Sequence, residues 1–130
     1  MGKKIDDERI AMLMSLIPVR ANVRVLRKSG RAVLVYEKNY NRFERFLQRY
    51  LKGPKEIQRP LDEMGTAVWD LCDGKHTVGD IVRIMDERYR EDIEPAGTRV
   101  TMFLENLYSL GLLTFDVPGK PREGGKNHIT

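Results

Sequence analysis

The chain is poor in cysteine and histidine. Cys72 is the single cysteine, and His76 and His128 are the two histidines. One thiol excludes an internal disulfide and any multi-cysteine metal cluster. A structural zinc takes about four ligands, and the two imidazoles stand far apart along the chain, so no metal site is expected. Long apolar runs are also missing. Nothing approaches the roughly 18 apolar residues of a membrane-spanning helix. The longest mostly apolar stretch, Ile10 to Val19, is interrupted by Ser15 and Pro18 and follows Asp6, Asp7 and Glu8, the wrong charge for a secretory signal. The opening residues place Asp6 where a myristoylation start wants Ser or Thr. A cytoplasmic protein with no membrane partner is expected.

Phosphate-binding glycine loops and dinucleotide fingerprints are absent as well. The carboxylate pairs Asp6/Asp7 and Glu91/Asp92 sit beside turns or helix ends, where charge is ordinary. Cys72 falls on the apolar stripe of a helix, as a small core residue does. His76 stands in a turn with no evident partner. No catalytic constellation emerges, so the reading is a protein that is no enzyme and needs no cofactor.

What is present suits one domain. The chain has 130 residues, of which 41% are hydrophobic and 32% charged. Lys and Arg number 23 against 19 Asp and Glu, a net charge of +4 that does not by itself indicate nucleic acid. Residues 118–130 carry Pro118, Gly119, Pro121, Gly124 and Gly125 and little that is apolar, the composition of a disordered tail. The domain is therefore expected over 1–117.

The pattern within it is α+β. Residues 5–17 fit a helix capped by Asp6, with Ile10, Leu13, Met14 and Ile17 on one face and Pro18 ending it. Residues 22–60 hold the sheet. Segments 22–27 and 32–37 alternate as a hairpin about Lys28-Ser29-Gly30-Arg31. Residues 40–52 shift to helical spacing, with Phe43, Phe46, Leu47, Tyr50 and Leu51 beside a basic stripe of Arg42, Arg45, Arg49 and Lys52, giving an inserted amphipathic helix. Lys55-Glu56-Ile57-Gln58-Arg59-Pro60 reads as a third strand, with Pro60 suited to its end or to a sheet edge.

Residues 61–113 give three helices. The first starts at Asp62, carries Met64, Ala67, Val68, Leu71 and Cys72 as its apolar stripe, and stops at Gly74. Trp69 lies off that stripe and reads as core boundary. The second is capped by Thr77 with Asp80 three residues on, and buries Val78, Ile81, Val82, Met85 and Tyr89. The third begins at Pro95 and buries Val100, Phe103, Leu104, Leu107 and Leu110, before Gly111 and a last strand at Leu112–Phe115. The short Asp73–His76 connection gives the first two helices a helix-turn-helix spacing, so a winged helix-turn-helix-like core is expected.

A helix-turn-helix invites DNA. The outward residues of the third helix are Thr98, Arg99, Thr101, Met102, Glu105, Asn106 and Ser109, with one cation among them. Phosphate contacts dominate DNA affinity and need several. A DNA-binding regulator is therefore the alternative reading.

The run from Leu61 through Gly65, Val68-Trp69, Asp73-Gly74, Thr77-Val78 and Ile81 to Leu107, Leu110-Gly111-Leu112-Leu113 resembles the PqqD-like family of precursor-peptide chaperones. The resemblance implies a small antiparallel sheet followed by three helices. It also implies a function: recognising the leader segment of a ribosomally made peptide and presenting it to a modifying enzyme, often a radical SAM protein. In that family the leader adds as a strand to the third strand and packs on the third helix. Here those positions are Lys55, Glu56, Ile57, Gln58 and Arg59, with Thr98, Thr101, Met102 and Glu105. The N-terminal helix and the helix at 40–52 are departures from the simplest family members. An open edge also leaves room for self-pairing into a homodimer, and an adaptor that binds a partner protein without a leader is a third, weaker reading.

Overall fold

The computed structural model describes residues 2–37 and 56–119. The predicted helix at 40–52, the residue Lys55 and the tail beyond 119 lie outside the described residues. The described chain is α+β. In order it runs α1 (Gly2–Ser15), β1 (Ile17–Arg20), β2 (Arg24–Lys28), β3 (Arg31–Glu37), β4 (Glu56–Pro60), α2 (Glu63–Leu71), α3 (Val78–Tyr89), a short 3-10 turn (Arg90–Ile93), α4 (Ala96–Ser109) and β5 (Leu113–Asp116). It divides into two compact units. One comprises Asn22 to Thr66; the other comprises the chain up to Ala21 and from Ala67 onward.

In the first unit β2, β3 and β4 form an antiparallel sheet in that order. The hairpin forms where the alternation placed it. Ser29 and Gly30 have φ of 53° and 77°, and two positive values in a two-residue loop match the right-handed twist of the strands. Gly30 takes such a φ without strain. The central strand β3 is buried from Ala32 to Val35, so it reads as a continuous apolar run. β4 pairs with β3 over five positions, from Val33↔Pro60 to Glu37↔Glu56. The first turn of α2 is tied to this sheet by Thr66, whose buried Oγ1 accepts the Ala32 N–H at 2.9 Å. Thr66→Val keeps the shape and leaves that buried donor unpaired, which should cost about 1–3 kcal/mol. Urea unfolding should show the loss, and Thr66→Ser should restore most of it.

The second unit corrects two expectations at the N-terminus. α1 begins at Gly2 and ends at Ser15, so Asp6 is an interior helical position and no cap. Ile17 and Pro18 belong to a strand, β1, which pairs antiparallel with β5 from Ile17↔Asp116 to Arg20↔Leu113. The sheet is therefore two sheets, and the last strand pairs with a segment read as the end of a helix. Backbone parity explains how Pro18 fits. The Ala21 N–H donates to Leu112 O at 2.9 Å, so in this register Ile17 and Val19 exchange bonds with β5 and Pro18 faces away. On that other side Pro18 O accepts from Gly74 N at 3.2 Å, and Arg20 N donates to Cys72 O at 3.0 Å. β1 is strapped between β5 and the α2–α3 turn.

The core of this unit collects Val68 and Trp69 from α2, Cys72 just after it, Val78, Ile81 and Met85 from α3, Val100, Leu104 and Leu107 from α4, and Leu112 and Leu113 beyond it. Trp69 is 2% exposed, so it is core and no boundary residue. The buried positions of α2 are Gly65, Thr66, Val68 and Trp69, followed by Cys72 just past its end, while Met64, Ala67 and Leu71 are half-buried. The true stripe follows the three-four spacing through the tryptophan, whose ring removes more apolar surface from water than Met64 and Ala67 do.

Capping follows the sequence. Asp62 Oδ1 accepts the Gly65 N–H at 2.7 Å. Thr77 and Asp80 form a reciprocal capping box, each side chain accepting the other's backbone N–H at 3.0 Å. Those bonds, the Thr77 N–H first, hold the Asp80 carboxyl below its ordinary range. Gly74 and Gly111 have φ of 80° and 76° after α2 and α4. Arg20 Nη1 donates to Trp69 O at 3.1 Å and Asp70 O at 2.8 Å, satisfying carbonyls at the negative end of α2.

The α2–α3 turn closes on Asp73. Partial burial pushes its carboxyl up, but the backbone N–H groups of Lys75 and His76 and the His76 ring, 2.9–3.2 Å away, outweigh this and hold it at about 2. A depressed folded-state value means the carboxylate's contribution is complete above its ordinary 3.8 and is lost as pH falls toward 2. The stabilities of the wild type and Asp73→Ala should therefore differ at neutral pH and converge in acid unfolding as pH approaches 2.

Candidate functional site

Two surfaces carry the residues singled out in the sequence, one on each unit. The first is β4. Its inner margin pairs with β3, and its outer margin pairs with no strand among the described residues. Leu61 N donates to Ala32 O at 2.8 Å. That bond fixes the alternation of the ladder: Leu34/Arg59 and Tyr36/Ile57 exchange bonds with β3, and Val35/Gln58 and Glu37/Glu56 do not. The N–H and C=O groups of Glu56 and Gln58 therefore point outward, together with Pro60 C=O. Pro60, with no N–H, falls where β3 asks for none.

The β4 side chains differ in environment. Glu56 and Gln58 are exposed, and Ile57 and Arg59 half-buried. Arg59 Nε donates to Tyr36 Oη at 3.0 Å, which holds that guanidinium over its own sheet. Glu56 meets Arg24 of β2 at 3.5 Å, an exposed pair of small energetic weight.

The second surface is α4. Thr98, Thr101, Met102 and Glu105 recur at three-four spacing along it; Thr98, Met102 and Glu105 are exposed, and Thr101 is half-buried at the margin of the buried face made by Val100, Leu104 and Leu107. Met102 is 64% exposed. Thr101 Oγ1 donates to Gly97 O at 2.8 Å, so its hydroxyl is engaged by its own helix. Beside Thr101 and Glu105 lies an apolar groove of about 160 Å³, whose other walls are Leu13, Val78, Leu104, Tyr108 and Phe115. Tyr108 and Phe115 meet there at 5.4 Å between ring centroids. Sequence reasoning missed this groove, because Leu13 and Phe115 reach it from segments about one hundred residues apart.

Two cations of α3 and α4 meet groups within the protein. Arg99 Nη1 donates to Asp92 O at 2.7 Å. Arg83 lies 3.8 Å from Asp80 and 3.9 Å from Glu87. Cys72 is fully buried, donates to Val68 O at 3.2 Å, and has its thiol pushed up to about 12 by that burial against the opposing pull of Arg20. A thiol that stays protonated is a poor nucleophile. Iodoacetamide at pH 8 should leave Cys72 unmodified in the folded protein and alkylate it fully in urea, as read by mass spectrometry. Among the described residues no helix is long and apolar enough to cross a membrane.

Residues 44–113 match the family of Coenzyme PQQ synthesis protein D (PqqD). This chain belongs to the PqqD family. It is also similar to the PqqA binding protein of Rhodopseudomonas palustris (strain BisB5), with 31% identity over 74 residues that cover 56% of this chain and 72% of that protein. No solved structure matches. The PqqD match takes in β4, α2, α3 and α4 and stops at Leu113, so α1, β1, β2, β3 and most of β5 lie beyond it.

Proposed function

We propose that this chain is a non-catalytic peptide-binding protein, one domain over 1–117, that captures the leader segment of a ribosomally made precursor and presents it to a modifying enzyme of the radical SAM type. The observation that carries this reading is the outer margin of β4. Outward amide groups at Glu56 and Gln58 accept an extended guest chain by strand addition, whatever its sequence. Family membership supports it, as does a relative whose name states that it binds PqqA. Side-chain selection falls to α4 through Thr98, Thr101, Met102 and Glu105, where the thioether of Met102 adapts to different ligands.

The test is an amide-shift titration of the full chain with synthetic leader peptides from short reading frames neighbouring a radical SAM gene. Binding should move the amides of Glu56, Ile57, Gln58 and Arg59 and of 98–105, weaken on Ile57 or Met102 substitution, and change only modestly between 50 and 200 mM salt. A steep salt dependence with a duplex in place of the peptide would instead support the winged helix-turn-helix DNA reading. Arg99, the one cation of α4, already donates to Asp92 O, which weighs against that reading.

A further inference from the structure

α1 and Phe115 lie outside the residues matched to the PqqD family, yet both help build the groove beside α4. α1 is held there by its backbone. Leu16 O accepts the Val78 N–H at 2.8 Å. Met14 O stands 3.3 Å from where a Cβ on Gly79 would sit, so the first turn of α3 carries glycine at the point of closest approach. This docking places Leu13 at the groove mouth, 36% exposed, over Val78 and Leu104, which are buried. The space is below the roughly 300–1,000 Å³ of a small-molecule pocket and suits one aliphatic side chain.

Glu105 is the one charged residue of the lining. It is exposed, and none of the ion pairs among the described residues involves it. Glu105 and the half-buried Thr101 also belong to the stripe of α4 assigned to peptide selection, so the groove continues that surface. An apolar slot with a lone carboxylate at its rim is complementary to an apolar residue next to a cation.

We propose that this groove is a selecting subsite for the peptide: it takes one Leu-, Ile- or Met-sized side chain and sets a neighbouring Lys or Arg against Glu105. This rests on the peptide-binding reading and narrows it to leaders that carry an apolar–basic pair. α1, which lies outside the family match, then acts as a specificity element.

The test pans a random 12-residue peptide display library on the full chain and on Glu105→Lys, an exposed change that leaves the core intact. Peptides selected by the wild type should be enriched in an aliphatic residue adjacent to Lys or Arg. In the synthetic consensus peptide, replacing the aliphatic residue by Ala should weaken binding on the order of tenfold. Replacing the cation by Gln should weaken it about threefold, the scale of a rim ion pair. Glu105→Lys should turn the preference toward Asp or Glu. Enriched peptides without the pair, or an unchanged preference on Glu105→Lys, overturn the subsite. If such peptides still shift the amides of Glu56 and Gln58, the peptide-binding reading stands without it; if no peptide is retained at all, both go.

Discussion

Gln58→Pro should weaken leader-peptide binding by tenfold or more while leaving the fold nearly unchanged. The reason lies in the alternation of the β4 ladder. Gln58 sits opposite Val35 in a pair that exchanges no backbone bonds, so its N–H faces the outer margin and β3 does not use it. Two residues on, Pro60 already occupies the same phase of the ladder, evidence that this sheet accepts the ring there. Ile57, the residue before it, is in a strand, as a residue preceding proline prefers. The substitution removes one guest-facing donor, about 0.5–1.5 kcal/mol net, and its ring crowds the line along which a guest strand would pair. Ile57→Pro is the control of opposite phase. Ile57 exchanges bonds with Tyr36, so proline there breaks the native ladder and should destabilise the sheet itself. Peptide titrations with parallel urea unfolding separate the two. Undiminished binding by a folded Gln58→Pro would rule out strand addition at this edge.

How much of this was legible in the sequence depended on range. Interactions that close within a few residues were readable: the Thr77/Asp80 capping box, Asp62 before α2, the positive-φ turn at Ser29-Gly30, the stops at Gly74 and Gly111. Each is a local hydrogen-bonding or steric requirement met by a nearby residue. The third strand was readable despite its single strong apolar residue, because Pro60 bounded it. β1 was not readable. Four residues, one of them proline, give no period, and their partner is β5 at the far end of the chain. Ile17 also continued the three-four spacing of α1, so a helix was extended over what is a strand. The α2 stripe was misplaced because counting apolar residues weighs Met64 and Ala67 like Trp69, whereas burial weighs surface area. Of the candidate site, the β4 edge and the α4 stripe were legible through family resemblance and spacing. The outward direction of Gln58 required one hydrogen bond, Leu61 to Ala32, that the sequence does not show.

Trp69→Ala should unfold the helical unit or bring it close to unfolding. Trp69 is the largest of the fully buried side chains and is 2% exposed. Truncating a buried tryptophan costs about 3–5 kcal/mol through lost transfer energy and the cavity left behind, against a total of about 5–15 kcal/mol for a domain. A fall in Tm of roughly 10–20 °C follows, read by far-ultraviolet circular dichroism because the substitution removes the only tryptophan. Trp69→Phe keeps an aromatic ring in the space and should retain most of the stability. Placement makes the result diagnostic. The carbonyl of Trp69 is one of the two held by Arg20, and Cys72 one turn on passes β1 its backbone acceptor. Loosening the indole therefore loosens the strap that joins β1 to the end of α2. Peptide binding by Trp69→Ala should fall only as the folded fraction falls, and should recover at low temperature or in a stabilising osmolyte. A variant that stays folded and still loses the peptide would show the indole touching the guest directly, which its burial contradicts.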